Sequence, residues 1–213
     1  MTGDVVGRGR LLAGAVALVL VVQYVLAEVV AAAAWRGEAY DWSRDYVSDL
    51  GAPACEPGGC SSLWWLFDAS LVLHATLVLT AAVLLSPLVG RGRRAVLAMF
   101  VVTAAGNALV GLFPLTVDGE DAVHYVGAVL AIGGASLAVG LVGLLCVRRR
   151  GRRAYGWVTL ACAATGLAGI VALGLDAPPG LGERVAIWPV VAWYVGTGVV
   201  LLGQYARRAA VSA

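Results

Sequence analysis

With 213 residues, 61% of them hydrophobic and 13% charged, the chain is far more apolar than a soluble domain, where roughly 25% of residues are charged. Its formal charge of +2, with no basic patch interleaved with aromatics, excludes a nucleic-acid partner. All 15 basic residues are arginines, which excludes Schiff-base chemistry, since that requires a lysine amine.

The apolar residues fall in runs of about 20, the length a helix needs to cross a bilayer core. The runs lack the alternation of a barrel strand, so each is read as a helix. In chain order they predict six transmembrane helices at 11–34, 63–87, 95–114, 123–147, 156–175 and 187–206. The fold class is therefore all-α, a polytopic six-helix bundle forming a single domain over 1–213.

The first run follows Arg8 and Arg10 and ends in small residues at Ala32, Ala33 and Ala34, much as a cleavable signal peptide does. It is longer than a signal core, and Glu28 would stand just before the cut, so it is read as a retained span. An outer loop, 35–62, comes next. Within it, Cys-Glu-Pro-Gly-Gly-Cys places Cys55 and Cys60 across a turn, and an oxidising compartment there predicts a disulfide between them. Residues 40–47 are expected to form a short interfacial helix lying over the bundle.

Span two carries Asp68, Ser70 and His74. Ser70 and His74, one turn apart, share a face, whereas Asp68 lies about 120° from His74 around the helix. Asn107 falls within span three, and His124 opens span four. Gly127, Gly133, Gly134, Gly140 and Gly143 make span four a candidate for close helix packing. Cys146 and Cys162, near the opposite face, are expected to be free packing residues. Pro189 is read as opening span six, where a missing N–H is tolerated.

Twelve of the 15 arginines fall in four segments on one side: Arg8 and Arg10; Arg91, Arg93 and Arg94; Arg148, Arg149, Arg150, Arg152 and Arg153; Arg207 and Arg208. Only Arg36, Arg44 and Arg184 fall on the other. The positive-inside rule makes the crowded side cytoplasmic, with both termini inside and the protein in the cell membrane. Apart from Asp4, the acids lie on the outer side or in the outer half of the membrane. Glu38, Asp41, Asp45, Glu56, Asp118, Glu120, Asp121 and Asp176 are expected to be solvated loop residues.

Glu28 and Asp68 differ, because they sit roughly 10 Å and 7–8 Å inside their spans at 1.5 Å per residue. Carboxylates at that depth cost several kcal/mol unless paired or wetted. With Asn107 at a similar level, they are expected to line one outward-facing cavity, with His74 at its floor and His124 at its mouth. Glu28, Asp68 and His74 are the candidate catalytic residues, and Asn107 and His124 candidate ligand contacts. The plainer alternative is that the carboxylates cap loop backbone or pair with Arg36 or Arg184. No HxxxH, HExxH or CxxC spacing and no nucleotide-binding glycine pattern occurs, so no metal and no cofactor is expected.

Ser48-Asp49-Leu50-Gly51, Asn107, Phe113-Pro114 followed by His124, and Gly182-Glu183-Arg184 together resemble a bacterial six-span family, domain of unknown function 998. That family is distantly similar to the Frag/DRAM/Sfk membrane proteins. The resemblance spans nearly the whole chain and implies a fold without an established reaction. Its motifs add Ser48, Asp49, Glu183 and Arg184 to the expected ligand-binding residues. The chain departs from it at Asp68, where the resemblance implies an amide, and at His74, where it implies a small residue.

The leading expectation is a membrane protein that binds a lipid or isoprenoid-like molecule in an outward acidic pocket. If it is catalytic, Glu28 and Asp68 would supply acid–base chemistry, as paired carboxylates do in membrane-embedded terpene cyclases. The alternatives are a small transporter or proton-coupled carrier, and a non-catalytic accessory subunit. The expected partner is a membrane lipid or hydrophobic small molecule, with the oligomeric state open.

Overall fold

The apolar runs fold into helices that carry aliphatic side chains on every face. Leu18, Val78 and Val139 are buried, while Leu26, Val101, Leu144, Val158 and Val199 are exposed. A helix that is apolar all round belongs in hydrocarbon or deep in a core. The computed structural model describes residues 7–55, 58–116 and 121–211, so Asp4, Glu56, Asp118 and Glu120 lie outside the described residues. Five helical stretches among these are long and apolar enough to cross a membrane: Arg8–Ala33, Trp64–Leu112, Ala122–Val147, Arg153–Leu173 and Pro179–Arg207.

The first stretch consists of α1 (Arg8–Leu20) and α2 (Gln23–Ala33). Between them the helix tightens, with Val22 N bonding Val19 O and Tyr24 N bonding Val21 O, each at 3.1 Å. The loop that follows holds two three-residue strands, β1 (Trp35–Gly37) and β2 (Gly59–Ser61), paired antiparallel with Arg36 opposite Cys60. Cys55 and Cys60 are joined in a disulfide. The interfacial helix expected at 40–47 does not form. Asp41 instead accepts bonds from Ser43 N, Ser43 Oγ and Arg44 N, an arrangement in which a short polar side chain outcompetes the helical ladder. A 3₁₀ turn, Ser48–Gly51, follows.

Trp64–Leu112 is 49 residues long, but it contains two helices, α3 (Trp64–Leu85) and α4 (Arg93–Leu112). The chain reverses in the turn at Ser86–Gly92, where Gly90 takes φ 71°, a left-handed conformation that glycine adopts without strain. The two helices are antiparallel: Gly111, near the end of α4, packs against Asp68 and Leu71, near the start of α3.

α5 (Ala122–Ala128) runs through a π-helical turn at Val129–Gly133 into α6 (Gly134–Val147), and α7 (Arg153–Leu173) leads to α8 (Pro179–Val211). α8 begins well before the expected boundary at 187. Pro179 at its first position supplies a preset φ and needs no backbone partner, so Glu183 and Arg184 are helical rather than loop residues. Pro189 consequently lies inside the helix.

α3 packs against α1 and α4, α8 against α1 and α7, and α6 against α4 and α7. Small residues set the closest approaches. A Cβ added at Gly169 would stand 2.7 Å from Ala186 Cα, and one at Gly106 would stand 2.7 Å from the Leu130 carbonyl carbon. Within span four, Gly127, Gly134 and Gly143 make close contacts of this kind, whereas Gly133 has nothing within 4 Å. The bundle thus has a loop end, carrying residues 34–55 and 58–63, and an opposite arginine end. All nine described acids lie toward the loop end.

Candidate functional site

The loop end is held by one arginine. Arg184 Nε donates to Glu28 Oε1 at 3.0 Å, with the two side chains 5% and 0% exposed. Its Nη1 donates to Trp42 O at 2.6 Å and Gly180 O at 3.0 Å, and its Nη2 to Tyr40 Oη at 2.6 Å. The guanidinium also stacks over the Trp42 ring, 4.7 Å from its centroid. Only a planar fork of five donors serves a carboxylate, carbonyls and a ring at once. Glu28 is completed by Trp188, whose indole N–H donates to Oε2 at 3.0 Å. Neighbouring Glu183 accepts Val47 N at 2.5 Å, which pins the start of the Ser48–Gly51 turn.

Tyr40 relays this clamp into the loop. Burial pushes its hydroxyl well above the usual tyrosine range, so it stays neutral and donates to Tyr46 O at 3.0 Å while accepting from Arg184. On the exposed rim, bonds from Ser43 hold Asp41 below the usual carboxylate range. Within the turn, Asp49 Oδ2 accepts Tyr46 N at 2.9 Å and Leu50 is wholly buried. Gly51 lies so close to Asp68 that Oδ1 occupies the place a Cβ would take.

Beneath this lid lies a cavity of about 70 Å³ whose walls include Ser48, His74, Asn107, His124, Glu183 and Tyr194. His74 is 6% exposed and Tyr194 1%. Neither His74 Nδ1 nor Tyr194 Oη has a hydrogen-bond partner among the described residues. Their rings lie 6.0 Å apart, and the Tyr24 ring, also on the cavity, lies 5.5 Å from His74. Asn107 Nδ2 donates to Thr103 O at 2.9 Å. His124 Nδ1 lies 3.0 Å from Phe113 O. A carbonyl only accepts, so Nδ1 carries the proton and a neutral ring keeps Nε2 as an acceptor. Ala131 and Ile132, from the π-helical turn, form part of the wall; such widened turns recur at functional sites.

The structure therefore gathers His74, Asn107, His124, Ser48 and Glu183 around one space. It sets the other expected residues apart. Glu28 faces Arg184 and Trp188, Asp68 faces Gly51, and neither is on the cavity wall. Asp49 and Arg184 hold the lid from outside. Tyr24 and Tyr194 were missing from the expected site. Tyr24 was within reach of pattern reasoning, because it lies one turn before Glu28 on the same face.

These features define a multi-pass helical membrane protein with a small cavity beneath a strapped loop, its apolar wall studded with a few polar side chains. The chain belongs to the family described as Protein of unknown function (DUF998), whose family model matches residues 17–200. No curated protein and no solved structure matches it.

Proposed function

We propose that the chain crosses the cell membrane six times with its arginine end in the cytoplasm, and that it binds a lipid or isoprenoid-like molecule by a polar group in the cavity under the outer loop. Counting Trp64–Leu112 as two crossings is supported by the reversal at Gly90 and the antiparallel packing of α3 on α4. The orientation is supported by the four arginine-rich segments at one end. Reporter fusions at residue 92, residue 151 and the C-terminus should all read cytoplasmic, and a periplasmic signal from any of them overturns the topology.

One observation carries the binding reading: two buried polar atoms, His74 Nδ1 and Tyr194 Oη, stand unpaired on one cavity. An unsatisfied buried group costs about 1–3 kcal/mol, which a ligand that hydrogen-bonds to both would offset. A cavity of about 70 Å³ takes a hydroxyl or carbonyl end and not a whole chain, so the hydrocarbon part would lie outside it. Binding is favoured over acid–base chemistry by Glu28 and Asp68, because Glu28 is occupied by Arg184 and Trp188.

Native mass spectrometry of the protein extracted in mild detergent is expected to show a bound hydrophobic molecule. The affinity for it should fall about tenfold in His74→Leu, equivalent to about 1.4 kcal/mol, and its occupancy should fall with it. That variant should be at least as stable as the parent, since it removes an unpaired buried atom. Unchanged occupancy in both His74→Leu and Asn107→Leu would sink the reading. A second reading, a small carrier, is favoured by one feature: Tyr194 lies on the wall of this cavity and of a larger one toward the arginine end.

A further inference from the structure

The larger cavity, about 550 Å³, opens among α1, α3, α4, α6, α7 and α8 at the arginine end. Its size lies within the roughly 300–1,000 Å³ of ligand sites. Leu18, Val78, Phe100, Val142 and Leu201 are among its walls. Several polar groups on its walls are already hydrogen-bonded within the protein. Tyr155 Oη and Thr197 Oγ1 share a bond of 2.9 Å, Trp193 Nε1 donates to Thr159 Oγ1 at 2.9 Å, and Ser86 Oγ donates to Val83 O at 3.2 Å. Its mainly apolar walls suit hydrocarbon.

The rim has the opposite character. Arg149 and Arg152 both border the cavity. Arg149 donates from Nη1 to Leu88 O and from Nη2 to Val89 O, which fixes the guanidinium against the Ser86–Gly92 turn and leaves other N–H donors of its five. No described acid lies at this end to neutralise the arginines. A plain run of positive-inside arginines would need no cavity beside it; here a fixed guanidinium stands at the entrance to an apolar chamber.

We propose that this chamber is a second binding site, for an anionic lipid, with hydrocarbon chain in the cavity and phosphate at Arg149 and Arg152. The site is independent of the one beneath the outer loop, since it shares only Tyr194 with it. Charge complementarity selects the headgroup, and the apolar walls select the chain. Arginine suits the task because its planar fork binds phosphate oxygens two at a time.

The test is native mass spectrometry of the whole protein titrated with dioleoyl phosphatidic acid, dioleoyl phosphatidylcholine or inorganic phosphate. Phosphatidic acid should bind at least tenfold more tightly than phosphatidylcholine, and millimolar phosphate should not displace it. Arg152→Gln and Arg149→Gln should each weaken phosphatidic acid severalfold, whereas Arg93→Gln, which is off the cavity wall, should not. Val142→Trp, which fills the chamber without touching charge, should abolish the preference and leave His74-dependent occupancy intact. Equal affinity for the two lipids, displacement by phosphate alone, an Arg93→Gln effect as large as that of Arg152→Gln, or undiminished binding to folded Val142→Trp would each overturn the proposal. Where Arg149→Gln fails to fold, Arg152→Gln and Val142→Trp decide.

Discussion

Arg184→Ala should release the loop end of the bundle and lower stability by about 3–5 kcal/mol, the usual result of leaving one partner of a buried ion pair alone. For a chain of this length that corresponds to a fall in Tm of at least about 6 °C, at 2–4 °C per kcal/mol. The loss is large because several groups are orphaned together. Glu28, wholly buried, keeps only Trp188, and the carbonyls of Trp42 and Gly180 and the Tyr40 hydroxyl each lose a donor. Limited proteolysis should then cut within residues 38–46 faster than in the parent. Arg184→Lys should rescue little, since one ammonium cannot reach the carboxylate, the carbonyls and the Trp42 face together. Adding Glu28→Leu to Arg184→Met should recover part of the stability, because paired apolar replacement removes the stranded charge. A Tm within a degree of the parent for Arg184→Ala would refute this account of the lid.

A comparable loss is expected from Gly106→Leu, by a different cause. A side chain there would press on backbone, with the Gly127 oxygen 2.6 Å and the Leu130 carbonyl carbon 2.7 Å from its first carbon. Backbone cannot swing aside as a side-chain tip can, so α4 and α5 must separate. Overpacking of this kind costs about 1–3 kcal/mol or more, and here it also spreads the cavity wall at Ala131. The variant should elute as aggregate on size exclusion, or melt several degrees early. Gly133→Leu is the control, since nothing lies within 4 Å of Gly133. Equal behaviour of the two variants would show that the close approach at Gly106 does not govern packing.

Most of the helix boundaries were legible, because a 20-residue apolar run bounded by arginine or tryptophan has few other meanings. The start of α8 was not. Hydropathy is interrupted by Gly182-Glu183-Arg184, and only the tertiary partners of Glu183 and Arg184 make that turn worth forming. The depth of Glu28 correctly marked it as needing a partner, but depth does not name one; Arg184, 156 residues away, was one of two candidates. Asp68 was misleading for the same reason, since nothing in its span announces that Gly51 will lie against it. The cavity was hardest to see. Much of its wall is alanine, isoleucine and valine, and its π-helical turn lies in Val-Leu-Ala-Ile-Gly, a sequence indistinguishable from ordinary α-helix.

The Glu28–Arg184 pair joins α2 to α8, and that has a consequence in time. At a synthesis rate of roughly 5–20 residues per second, the 156 residues between them take on the order of ten to thirty seconds to emerge. Throughout that interval the carboxylate has entered, or waits to enter, the bilayer without its cation. The nascent protein must therefore hold α2 near the interface until α8 arrives. Insertion of α8 is then the event that seats α2, and the loop end of the bundle closes only after Arg184 has been made.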